Sequence, residues 1–166
     1  WLQNASRAQS IGIVATGTVL VTRPGRDAPE VNLTSFPVGS SISTVANAQA
    51  SVTFTSPDGE NVLATLRIFG NTSVEVTQAD SPRYSSGLQP HTIIFRVASG
   101  RVRVTVGVDV DRPVHVEILS DPGATTVLGQ PGSNTTVEAT FTESMVTVRE
   151  GVARVTAEGQ TVELIK

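Results

Sequence analysis

The side chains best suited to chemistry are two histidines, His91 and His115, and the carboxylates near the second of them. His115 stands in VHVEI, where Val114, Val116 and Ile118 share one face of an alternating run while His115 and Glu117 share the other. Asp109 and Asp111 project together from the adjoining VDVDR. Oxygen and imidazole ligands of this kind could hold a cation. No known ligand spacing completes the set, however, and the same alternation is what any half-buried strand displays. The four residues therefore read as a solvated strand face, with no metal ligand among them. A serine nucleophile fares no better. No G-x-S-x-G elbow is present, and a triad would have to recruit His91 or His115 without local support. The absence of cysteine removes thiolate metal sites, thiol nucleophiles and disulfides. No glycine-rich loop opens a helix, which argues against nucleotide binding. The expectation is a protein that is not an enzyme, with no catalytic residue and no cofactor.

Arginine offers a different chemistry. Arg101 and Arg103 lie on one face of RVRVTV, and Arg96 lies in the preceding apolar run. Arg149 and Arg154 point outward from the closing stretch VTVREGVARVTAEGQTVEL. Arginine is enriched at protein interfaces because its planar fork recognises carboxylates. These five residues are the candidate partner-binding set, with ion pairing to Glu150 or Glu163 as the competing use. The partner is a protein or a second copy of the chain. A net charge of -3 and a pI near 5.3 argue against nucleic acid, which demands a basic face. Sugar binding is disfavoured, since the chain has one Trp, at position 1, and one Tyr, Tyr84, to serve as stacking platforms. The five phenylalanines fall largely inside strand-like runs and read as core. Four N-x-S/T triplets, at Asn4, Asn32, Asn71 and Asn134, are adequately explained by the abundance of Ser and Thr.

The elements that carry these residues are strands. The chain holds 25 Val and 21 Thr, and β-branched side chains favour extended backbone. Period-two runs recur at 13–21, 51–55, 62–68, 73–77, 93–97, 101–106, 114–118 and 135–142, followed by the closing strands. Only Leu2 to Gln9 suggests a helical turn. The nine prolines lie between the runs, where a missing N–H breaks no ladder. This pattern predicts an all-β sandwich or jelly-roll-like roll of about 10–13 short strands. A β-solenoid is the alternative, though no repeat of fixed period persists along the chain. Residues 1–12 read as an N-terminal extension or juxtamembrane segment, and 13–166 as a single domain with a possible seam at 78–92. In the closing stretch, Val146 and Val148, then Ala153, Val155 and Ala157, then Val162 and Leu164 are expected to supply three inward faces, with reversals at Gly151 and Gly159.

The order of segments resembles the FecR domain. A G-x-V-x-V strand (Gly17 to Val21) is followed by a G-x-x-I-x-T segment (Gly39 to Thr44), then AQASVTFTSPDG ending in a D-G turn, then LRIFGNTSVEV. The second half carries G-R-V-x-V (Gly100 to Val104), a V-x-I strand leading into P-G (Val116 to Gly123, VEILSDPG), and the closing V-x-V-x-x-G-x-x-x-V with a final V-x-L. The resemblance covers roughly residues 15 to 165. It departs at LGQPGSNTTVEAT, where the family usually has G-T-x-F-x-V. It implies a non-enzymatic, extracytoplasmic sensory or protein-interaction module of a membrane-anchored protein, relaying a signal through a protein partner. Contact with a membrane would come only through a segment upstream of Trp1. The alternative is a structural subunit of a cell-surface fibre or coat assembled by strand addition, with SIGIVATGTVLV as the donor.

Overall fold

A computed structural model describes residues 5–84 and 89–166. The readings of Trp1, Leu2 and Asn4 lie outside the described residues, as does part of the 78–92 connection. The described residues form fourteen strands and no helix, so none could cross a membrane as an apolar helix. The strands are β1 (Ser6–Ala8), β2 (Ser10–Thr16), β3 (Val19–Thr22), β4 (Ser41–Thr44), β5 (Gln49–Thr55), β6 (Val62–Ile68), β7 (Ser73–Pro82), β8 (His91–Val106), β9 (Val114–Ser120), β10 (Ala124–Leu128), β11 (Asn134–Ala139), β12 (Ser144–Glu150), β13 (Val152–Ala157) and β14 (Gln160–Ile165).

They build two sheets around one core. The first runs β3-β4-β7-β8-β9-β10-β13-β14, with β1 on the far part of β7; the second runs β2-β5-β6-β8-β11-β12. Every pairing is antiparallel except β8 with β9. That mixture of long-range antiparallel pairs is a sandwich-like roll and not a stack of parallel rungs. Alternate residues of both sheets face inward: Val52, Phe54, Leu66 and Ile68 from one, Val76, Ile93, Phe95 and Ile118 from the other, all fully buried.

Two glycines make the chain change sheets, and both depart from the expected strand pattern. The run expected over 13–21 divides at Gly17, where φ is +79° and a Cβ would press on Ala48 at 3.1 Å. It leaves β2 in one sheet and β3 in the other. Conversely, the runs at 93–97 and 101–106, expected as separate strands around a Ser99-Gly100 turn, are one continuous strand of 16 residues. Its first half pairs with β7 and β9, and its second half with β6 and β11. Gly100 sits at the crossing with φ +96°, and a Cβ there would lie 2.5 Å from the Cα of Thr72.

Other expectations are corrected in smaller ways. Ser6–Ala8 is a strand paired to β7, where a helical turn was expected, because three exposed residues gain ladder hydrogen bonds there. Strand β7 continues through Gln78 to Pro82, so Pro82 closes a strand as its last residue. Ser10–Thr16 pairs in register with β5 and buries Ile11 and Ile13 in this chain's own core, so it is not a free donor segment. In the closing stretch Val146, Val148 and Ala153 face the core, but Val162 is 56% exposed and Ala157 is exposed too. Beyond Ala153 the β13–β14 hairpin runs past the core's edge, and Ala157, Val162 and Ile165 stay exposed.

Candidate functional site

The outer face of the second sheet carries an unusual concentration of charge. Arg67 on β6 is directly opposite Arg103 on β8, and Arg103 is directly opposite Thr136 on β11. Arg101 follows two residues away on the same face, because strand side chains alternate. Arg149 projects from β12. The four guanidinium-bearing residues therefore span the strands β6, β8, β11 and β12, three interstrand spacings or about 14 Å.

Phe69 organises them. The Cζ of Arg101 is 4.2 Å from the ring centroid, that of Arg67 5.3 Å and that of Arg103 5.5 Å. All three are within reach of the ring's negative π face. The ring is fixed through the backbone: Phe69 N–H donates to the Arg101 carbonyl at 3.1 Å. Thr72, buried beside the Gly100 crossing, adds a second tie. Its hydroxyl accepts from the Arg101 N–H at 3.0 Å and donates to the Gly70 carbonyl at 3.1 Å. Arg67 is steered by an Nη2–H donated to Gln49 Oε1 at 2.6 Å.

These four arginines have no carboxylate within 4.0 Å among the described residues. Glu138 stands opposite Arg101 in register without closing an ion pair. Burial among its neighbours, reinforced by repulsion from Arg149, Arg67 and Arg101, pulls the Arg103 guanidinium below the ordinary arginine value. Like charges held this close, in a chain of net charge -3, are an electrostatically complementary seat for an anion.

The structure divides the five arginines singled out in the sequence. Arg101, Arg103 and Arg149 come together. Arg96, on the first-sheet half of the same strand β8, donates twice to Asp121, at 2.8 and 3.0 Å. Arg154 approaches Glu163 at 3.5 Å across the β13–β14 hairpin. Glu150 forms no ion pair among the described residues. Sequence reasoning missed Arg67 and Phe69. The signal was the LRIF run at the end of β6, but Phe69 read as core, whereas it is only half-buried and Phe141 is 98% exposed.

The histidines also resolve differently from expectation. His115 reaches Glu117 at 3.4 Å on a half-buried strand face, and no cluster of three metal-ligating side chains occurs among the described residues. Asp111 turns instead to His91. The His91 ring is buried, its Nε2 2.8 Å from Asp111 Oδ1 and its Nδ1 2.7 Å from Ser81 Oγ. The ionised carboxylate only accepts, so the neutral ring carries its proton on Nε2 and Nδ1 accepts from the Ser81 hydroxyl. Although this is a Ser-His-Asp chain, Ser81 is 1% exposed and its hydroxyl is turned to His91 Nδ1. A nucleophile must be reachable. The chain works as a bridge tying β7, the start of β8 and the 107–113 loop.

No protein-family model matches the chain, and no curated protein matches it. Two crystal structures of a candidate anti-sigma factor from Parabacteroides distasonis ATCC 8503 are similar to it, each with 18% identity and a TM-score of 0.46. Each alignment covers 75% of this chain and 50% of the other, so the chain spans about half the length of those proteins. Likeness at this level assigns no function.

Proposed function

We propose that this domain is a non-enzymatic protein-interaction module that seats an acidic, extended segment of a protein partner on the Arg67–Phe69–Arg101–Arg103–Arg149 face. The observation that carries the reading is the convergence, on one exposed sheet face, of four arginines without ion-pair partners among the described residues. An extended segment sets same-face carboxylates about 7 Å apart, so three of them span about 14 Å, the width of the arginine face. The order of FecR-like segments supports placing the module in a membrane-anchored, extracytoplasmic signalling protein, where occupancy of this face biases a neighbouring domain. Titration calorimetry with a ten-residue peptide alternating Asp and Val tests the docking step. Binding should be saturable in about 20 mM salt and weaken by about tenfold or more near 200 mM, as screening shortens the reach of the charges. It should disappear in the triple variant R101Q/R103Q/R149Q. Equal affinity for the variant, or for a Lys/Val peptide, would overturn the reading.

A second reading, assembly by strand addition, rests on β14. Among the described residues this strand ends the first sheet, pairs with β13 alone, and exposes Val162 and Ile165. Light scattering that shows only monomers across a concentration series would remove it.

A further inference from the structure

On a different part of the surface, a polar cleft of about 240 Å³ opens above His91. Its walls bring together side chains from four places: Arg7 on β1, Arg83 just after β7, Asp58 in the β5–β6 turn, and Asp111 with Arg112 in the 107–113 loop. Both carboxylates are already engaged. Asp111 accepts from His91 Nε2–H and, at 3.3 Å, from Arg112 Nε–H. Asp58 accepts from the Ser56 hydroxyl and, at 3.0 Å, from the Glu60 amide. The His91 bond chiefly holds Asp111 below the usual carboxylate range, and the Ser56 bond does so for Asp58. Arg7 and Arg83, in contrast, meet no carboxylate within 4.0 Å among the described residues. The eight residues outside that set, WLQN and SSGL, contain no acidic side chain to supply one.

We propose that this cleft binds a small phosphate-type oxyanion, free or as a phosphomonoester, between the Arg7, Arg83 and Arg112 guanidinium groups. Three guanidinium cations against two satisfied carboxylates leave the cleft net positive in either form of His91. Guanidinium forks match phosphate oxygens two at a time. Its size admits a single phosphate group with a short substituent and excludes a folded partner. The location has a mechanical consequence. Among the described residues, the three exposed residues of strand β1 pair with β7 alone, and beside them the Arg83 N–H donates to the Ala5 carbonyl. An anion gripped by Arg7 on one side and by Arg83 and Arg112 on the other ties that strand to the body of the domain. Occupancy of the cleft would therefore be read at the first strand of the fold.

The test is an NMR titration of the isolated domain with inorganic phosphate, and separately with a glycerol phosphate, at ionic strength held constant with sodium chloride. Saturable one-to-one shifts at Ser6–Ala8, Asp111 and Arg112 are expected, with slowed hydrogen exchange in Ser6–Ala8. Saturation by inorganic phosphate identifies the free ion as sufficient, and saturation by the ester alone identifies a phosphomonoester. The double variant R7Q/R83Q should weaken binding by about tenfold or more, as loss of two charge-assisted forks requires. Arg7→Lys, which keeps the charge but loses the fork and leaves the fold undisturbed, should fall between. Arg103→Gln, on the other face, should bind as the wild type does. Absence of saturation by both probes at about 20 mM, a range weaker than any useful site, overturns the proposal. So does binding that is lost in R103Q and kept in R7Q/R83Q, which would move the anion to the arginine face.

Discussion

Replacing Phe69 by Leu keeps an apolar side chain at the end of β6 and removes the π face on which three guanidinium groups converge. A cation–π contact at a half-exposed site contributes about 0.5–1 kcal/mol. Contacts at 4.2, 5.3 and 5.5 Å would sum to about 1.5–3 kcal/mol if independent. They are not independent, because the same convergence buries Arg103 and drives the guanidinium groups against one another, and burial first and repulsion second lower the Arg103 value. The informative quantity is therefore one pairwise coupling. In a double-mutant cycle built from Phe69→Leu, Arg101→Gln and the two together, the Phe69–Arg101 coupling should be about 0.5–1 kcal/mol. Urea unfolding at neutral pH and low salt reads it directly, and in a domain of this size about 1 kcal/mol is also about 2–4 °C in Tm. A coupling indistinguishable from zero, or one of opposite sign, would mean that the ring does not organise the cluster, and the proposed seat would lose its anchor.

Three further outcomes follow from particular contacts. Gly100→Ala should destabilise by about 2 kcal/mol or more, since it forces an L side chain to φ +96° against Thr72; a Tm within about 1 °C of wild type would contradict the sheet crossing. Asp111 has a folded pKa lowered chiefly by His91, so its contribution to stability is complete above the unfolded value of about 4 and fades as pH falls through the folded one. Asp111→Asn should flatten that part of the acid limb in a series of urea midpoints from about pH 5 to 2, with the wild-type and variant curves converging at the acid end; parallel curves would refute the pairing. Ser81→Ala leaves the buried His91 Nδ1 without its donor and should cost about 1–3 kcal/mol while sparing peptide binding. Loss of binding at unchanged stability would give the Ser81–His91–Asp111 chain a role beyond bridging.

Periodicity made the strands legible, because alternation of Val with Thr, Arg or Glu needs no tertiary knowledge to read. It also placed Arg101 and Arg103 on one face, since they sit two residues apart on one strand. The switches between sheets were hidden. Gly17 and Gly100 look in sequence like an interior residue and a turn, and only the layer each half of the strand joins tells them apart. Arg67 joins Arg103 through a β6–β8 register that closes a gap of 36 positions, which no local pattern encodes. Phe69 was misread because an aromatic in a strand-like run is ordinarily core, and its half-exposure depends on β6 ending where the sheet face opens. The Ser81–His91–Asp111 chain was invisible for a related reason: each member comes from a different segment, and Asp111 shares VDVDR with Asp109, which suggested the wrong partner.

The arginine face, and not the His91 cleft or the β14 edge, is the proposed seat for an acidic protein segment. The arginine side-chain Nε–Hε resonances report this most directly during titration with the alternating Asp/Val peptide. Saturable shifts confined to Arg67, Arg101, Arg103 and Arg149, reversed by added salt, are the predicted result. Shifts centred on Arg7 and Arg83, shifts along Gln160–Ile165, or no shift at any arginine would contradict it.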